Sequence, residues 1–403
     1  MKTRENSLFN SKMLILSVFY WLLFMMSTNI DYPHTLYPTA NAQFLIICFL
    51  VSLIAGGCLS SKGGDHYFQR FSYFDTSKLG LRLFNSFVYL NLLLLLIILL
   101  RALYFKYFLD YSLSRVELFS PSHLETNILL RSFYVGISYL KSFTSVFLGF
   151  ILLCSLIAKN NRMLILCIFA YAIEALLFSA KGPLINVLFI SIIWVVLDKR
   201  IEFNRNHLFI AFSGCLLFFI VLFVRNDKIL DIIYDYISTG PILLSSLTDP
   251  DSSSFFIGSS PADVNLLFSG FQYLINIFIR AFFNTDLISN SYLWIKIQDL
   301  NVITGQSGVI FFPHSTLYTL LAEPYLSLGL FGVFTLGFSF GFMIPCLEAS
   351  FIKNNCTFSL FLLYYGMFIL LSGPFVGPFS SVTFWMVLLF IIIFKNKLFI
   401  RRL

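Results

Sequence analysis

Between Arg82 and Arg101 the chain carries no charged side chain, and stretches of this kind recur along its whole length. Each runs for roughly 15–20 residues, the length needed to cross about 30 Å of hydrocarbon. Ten such runs can be read, at about 13–30, 42–59, 83–100, 142–158, 163–180, 184–198, 207–224, 325–347, 357–372 and 379–394. Backbone groups in lipid find no water, so each run must pair them internally as a helix, and the alternation of a membrane β-barrel is absent. Composition points the same way: 58% of the 403 residues are hydrophobic and 12% charged, against about 25% charged in soluble domains.

The net charge of +7 raises the question of a nucleic-acid partner. The Lys and Arg side chains, however, sit at the ends of the apolar runs, where they set orientation, so membrane lipid is expected as the partner and nucleic acid is not. With the N-terminus in the cytoplasm, the inner segments 1–12, 60–82, 159–162, 199–205, 348–356 and 395–403 hold most of the 27 basic residues, while the short outer loops 31–41 and 373–378 hold none. Both termini then lie inside. Long outer loops are expected at 101–141 and 225–316. Within the second, Ser269, Gln272, Asn276 and Arg280 fall on one stripe of the apolar segment 266–283, as in a helix lying on the membrane surface. Ala40-Asn41-Ala42 has the form of a cleavage site, but it lies too far beyond the first apolar core for an ordinary signal peptide.

The fold class expected is therefore an all-α polytopic membrane protein, with about ten transmembrane helices and a long outer loop bearing surface helices. Seven helices fall in 1–224, the large loop with its interfacial amphipathic helix in 225–316, and three helices in 317–403. Of the seven cysteines, Cys48, Cys154, Cys167, Cys215 and Cys346 lie inside apolar runs without C-x-x-C spacing or a nearby His, and read as small apolar side chains. No metal site and no cofactor are expected. Asp249-Pro250-Asp251 could pair carboxylates on a divalent ion, but three serines follow it and a turn is the better reading.

Six positions could carry chemistry, five of them at the outer surface. Lys181-Gly182-Pro183 joins two apolar runs: it is either a tight turn whose lysine snorkels, or a cation held on a stiff corner for a lipid phosphate. Arg225 ends the seventh run and Arg280 lies on the polar stripe. A guanidinium at that depth either pairs with a local aspartate or grips a phosphate through its two-pronged geometry. His314 follows Phe312-Pro313 and is either structural or, with its near-neutral pKa, a general base. Glu174 lies two helical turns before Lys181; a carboxylate inside a span is either functional or the buried partner of a cation or hydroxyl on a neighbouring helix.

The sixth position, Glu323, opens the segment Glu323-Pro324-Tyr325-Leu326-Ser327-Leu328-Gly329-Leu330-Phe331-Gly332. This segment resembles the Glu-x-Tyr-Leu-x-x-Gly-Leu-x-Gly signature of Wzy-type O-antigen and oligosaccharide repeat unit polymerases. Phe178-Ser179-Ala180-Lys181-Gly182-Pro183-Leu184 is similar to that family's Ser-Arg-Gly-Pro-Leu corner, with Lys181 in place of the arginine. Ala322 stands where a glycine often precedes the glutamate. His314-Ser315 resembles the His-Asn pair of the related O-antigen ligases.

The resemblance implies a metal-independent glycosyltransferase of a bacterial inner membrane, with the 225–316 loop periplasmic. It would polymerise undecaprenyl-diphosphate-linked oligosaccharide repeat units into O-antigen or capsular polysaccharide, alongside a chain-length regulator. Arg225, Arg280 and Lys181 would hold the departing diphosphate, with His314 or Glu323 taking the acceptor's proton. Glu323 could equally fix the loop by pairing with an arginine. Tyr234, Tyr236, Tyr273, Tyr292 and Tyr318 could stack sugars or belong to an interface belt. The rival readings are a flippase or transporter of lipid-linked oligosaccharide, and an O-antigen ligase using the same donor.

Overall fold

The computed structural model describes residues 11–27, 40–69, 79–113, 117–118, 127–178, 182–197, 244, 268, 270–272, 274–275, 319–354, 357–374, 377–379 and 381–400. Their regular structure is helical, with no strand among the described residues: α1 (Lys12–Ser27), α2 (Ala40–Gln69), α3 (Leu79–Phe108), α4 (Ile128–Ile157), α5 (Asn161–Leu177), α6 (Gly182–Leu197), α7 (Ala322–Asn354), α8 (Thr357–Ser372) and α9 (Val382–Ile400). Four stretches are long and apolar enough to cross a membrane: Ala42–Ser60, Leu83–Phe108, Leu130–Ile157 and Ala322–Ile352. Large apolar side chains such as Phe19, Phe44, Val51 and Leu96 are turned outward, as a lipid solvent allows. The chain thus has the character of an all-helical membrane protein. The run at 207–224 lies outside the described residues.

The chain divides into two packing units, Met1–Asp75 with Ile229–Leu403, and Thr76–Lys228. In the first, α2 and α7 meet backbone to backbone. A Cβ on Gly56 would stand 2.8 Å from Phe342 N, one on Gly337 2.6 Å from the Phe49 carbonyl, and one on Gly341 3.0 Å from Leu53 Cα. Ser52-x-x-x-Gly56 and Gly337-x-x-x-Gly341 are small residues one turn apart, the spacing that lets helices approach closely where lipid removes the hydrophobic drive to associate. α1 packs beside them. Its N-cap Ser11 accepts from Leu14 N at 3.1 Å and donates to Glu348 of α7 at 2.5 Å, and Glu348 also accepts from Lys12 N and Met13 N. A carboxylate here satisfies orphan amides and faces the positive end of the helix dipole. Further along α1, Trp21 donates to the Leu370 carbonyl of α8 at 3.1 Å and lies against Phe49.

In the second unit, α3, α4, α5 and α6 pack as neighbours. An aromatic layer of Phe84, Phe87, Phe143, Phe147 and Phe150 fills the α3–α4 seam. Lys159, with φ of 54°, turns the chain from α4 into α5, where Asn160 caps the first turn by accepting from Met163 N. Pro183 sits in the first turn of α6, where its missing N–H leaves no bond unmade.

One sequence expectation is corrected. The outer loop expected at 101–141 is helical at both ends, because α3 continues to Phe108 and α4 begins at Ile128. The charges at Arg101 and Lys141, which mark the ends of the apolar runs, are buried, Arg101 bonded to the Glu117 carbonyl and Lys141 paired with Glu174. A charge that finds such a partner need not end a helix, and both helices run on. Ala40–Ala42 form the first residues of α2, and Ala42 is buried there. Of the expected surface helix, residues 270–272 and 274–275 are helical, Leu274 is buried, and Phe268 and Phe271 lie against Trp385.

Candidate functional site

Glu323 stands in the first turn of α7 and is fully buried. Its Oε2 accepts from Phe379 N at 2.8 Å, and the Phe379 carbonyl in turn accepts from Trp385 Nε1 at 2.7 Å. On the other side of the same turn, Leu320 N donates to the Gly373 carbonyl at 2.6 Å. The carboxylate thus ties the start of α7 to the connection between α8 and α9. Burying a charge in this position is tolerated only with such hydrogen bonds.

Six residues beyond Glu323, α7 breaks. Gly329 adopts φ of 61° and ψ of −146°, a conformation that favours glycine because a Cβ would clash with the backbone. The break lets the first turns fold back on the helix, so that a Cβ on Gly332 would lie 2.9 Å from the Pro324 carbonyl carbon. Glu323 and Ser327 are one helical turn apart and share a face; Thr319 precedes Glu323 by four residues. Ser327 Oγ and Thr319 Oγ1 are buried without a hydrogen-bond partner among the described residues. The Glu323–Gly332 segment is therefore one built element: an anchored carboxylate, a glycine-dependent break and a close return.

The second packing unit holds another buried polar group. Lys141 of α4 forms an ion pair with Glu174 of α5, Ser145 Oγ donates to Glu174 Oε2 at 3.4 Å, and the Lys141 ammonium sits 4.9 Å from the centre of the Phe178 ring. Asn91 of α3 donates to Thr144 Oγ1 at 3.0 Å and Ser145 Oγ at 3.2 Å. Of the two readings of Glu174, the structure displays the partner: a cation and a hydroxyl on a neighbouring helix. One end of the α3–α4 pair carries a third polar group. Arg101 donates to the Glu117 carbonyl at 2.9 Å and lies 4.4 Å from the centre of the Tyr134 ring, while Tyr111 donates to Glu117 Oε1 at 2.8 Å. That bond, some burial and the Glu117 charge together raise the Tyr111 pKa above the usual tyrosine value.

Lys181, Arg225, Arg280 and His314 lie outside the described residues, as do Asp249-Pro250-Asp251 and the loop tyrosines Tyr234, Tyr236, Tyr273, Tyr292 and Tyr318. Among the residues selected from the sequence, Glu323 and Glu174 are the ones whose surroundings are described. Sequence reasoning missed Lys141, Asn91, Ser145 and Phe379. Lys141 carries the one available signal, a cation beside a long apolar run that could answer the carboxylate of Glu174. Among the described residues no three His, Cys, Asp or Glu side chains converge as metal ligands. Comparison with protein-family models, with curated proteins and with solved structures gives no match.

Proposed function

We propose that the chain is a lipid-linked oligosaccharide polymerase. In this reading it works on the outer face of a bacterial inner membrane, with about ten spans, both termini cytoplasmic and the 225–316 region periplasmic. The donor is a growing glycan on undecaprenyl diphosphate and the acceptor is one further lipid-linked repeat unit. A hydroxyl of the acceptor attacks the donor's anomeric carbon, the bond from that carbon to the diphosphate oxygen breaks, and undecaprenyl diphosphate leaves with the electron pair.

The observation that supports this reading is the construction of the Glu323–Gly332 element. The residues that carry the family resemblance include those with a structural duty here: the buried carboxylate on Phe379 N–H, the positive φ at Gly329 and the close approach at Gly332. We assign Glu323 to holding this element in place and His314 to receiving the hydroxyl proton. Arg225 and Arg280, with Lys181, stabilise the diphosphate as its charge develops, and no metal is required.

The test is a reconstituted one. Purified protein in nanodiscs, given a synthetic diphospholipid-linked repeat unit without added metal, yields a ladder of longer chains. Arg225→Ala and Arg280→Ala abolish the ladder while the protein still accumulates. Transbilayer movement of the substrate without a ladder would instead identify a flippase, and joining of glycan to a lipid A core would identify a ligase.

A further inference from the structure

The membrane-length stretch of α3 begins directly after Arg82 and spans Leu83–Phe108, 26 residues that include Arg101 and Lys106. At 1.5 Å per residue this is about 39 Å, some 9 Å more than the hydrocarbon of a bilayer. The excess falls at the end that leads into residues 109–113. α4 reaches the same end. From Lys141, paired with Glu174, α4 extends 13 residues to Ile128, about 20 Å, whereas α5 ends three residues beyond Glu174, about 4.5 Å. The α3–α4 hairpin therefore overhangs the end of α5 by roughly 15 Å.

The side chains on this overhang are not those of a water-exposed loop. Tyr107 is 72% and Phe108 78% exposed, and Tyr104, Leu109, Leu130 and Phe133 are also exposed. Among the described residues of this end, two exposed cations, Lys106 and Arg131, stand against one exposed acid, Asp110. The Arg101–Tyr134 contact holds the two helices together just below. Aromatic rings with basic side chains, continuous with the lipid-facing stripe of a membrane-crossing helix, are the chemistry of the headgroup layer, where rings lie at the glycerol level and cations meet phosphates.

We infer that the α3–α4 hairpin end, through Tyr104, Tyr107, Phe108 and Phe133 with Lys106 and Arg131, is a phospholipid headgroup-binding surface that lies in the membrane interface. This inference is independent of the polymerase reading. A rival occupant, an oligosaccharide stacked on the same rings, would need the surface to stand in water.

The test is made in nanodiscs of phosphatidylcholine and phosphatidylglycerol. The tryptophan added by Phe108→Trp is read as the difference from the unsubstituted protein, and near-identical melting of the two proteins serves as the folding check. Expected is quenching by lipids brominated near the top of the acyl chain, with little quenching by aqueous iodide. Iodide quenching without bromolipid quenching overturns the inference, and protection from iodide by an added oligosaccharide overturns it in favour of a glycan surface. In the second arm, Lys106→Gln and Arg131→Gln each weaken phosphatidylglycerol retention about fivefold. Unchanged retention in the double variant overturns the assignment of these cations to phosphate.

Discussion

Lys141 and Glu174 face each other across the α4–α5 contact with side chains only 3% and 11% exposed, an ion pair within the packed helices of the second unit. Asn91 and Ser145 extend it into a network that spans three helices. Removal of one member leaves the other charge buried without its counterion, a loss of about 3–5 kcal/mol. Lys141→Met and Glu174→Gln are each expected to lower the melting temperature in detergent markedly. The double variant Lys141→Met with Glu174→Leu recovers much of that loss, because no charge is then left alone. A double variant as unstable as the worse single one would show that the pair is not the source of the effect.

Close approach of α2 and α7 depends on the absent side chains of Gly56, Gly337 and Gly341. Gly341→Leu drives a side chain into the backbone of Leu53 and is expected to unfold the pair, read as loss of the folded peak in size-exclusion chromatography. Gly366 provides the control. A Cβ there meets Met343 at 3.7 Å, an ordinary contact, so Gly366→Ala is tolerated and gains roughly 0.5–1 kcal/mol from helix propensity.

Glu348 caps α1 from α7. Ser11→Ala removes a cap and a donor and is expected to cost about 1 kcal/mol. Glu348→Ala costs more, because it also exposes the α1 amides to an apolar wall, whereas Glu348→Gln keeps an acceptor and falls between the two. Chemical unfolding of the purified variants measures the order.

Glu323→Ala leaves the part-buried Phe379 amide without this acceptor, a penalty of about 1 kcal/mol, and loosens the α8–α9 connection from α7. Under the proposed function, chain extension falls at least tenfold. Glu323→Gln retains a carbonyl to accept that bond, so substantial activity in this variant together with loss in Glu323→Ala fits a positioning role. Equal loss in both, with unchanged melting temperature, fits proton transfer by the carboxylate instead.

The apolar runs alone determined that this chain forms helices of membrane-crossing length, because uncharged segments in lipid have no other way to pair their backbone groups. The sequence also marked Glu323, Gly329 and Gly332 as a group before any contact was visible. It did not reveal that helices run on past charges that find a partner. Arg101 and Lys141 look like boundary residues in a linear reading, yet their partners, Glu117 with Tyr134 and Glu174, stand 16 to 33 positions away. The small-residue spacings at Ser52, Gly56, Gly337 and Gly341 were present in the chain, but that they meet one another follows only once α2 and α7 are brought together across some 280 residues. Burial and pairing of charge are properties of neighbours in space, and the tertiary structure alone supplies those neighbours.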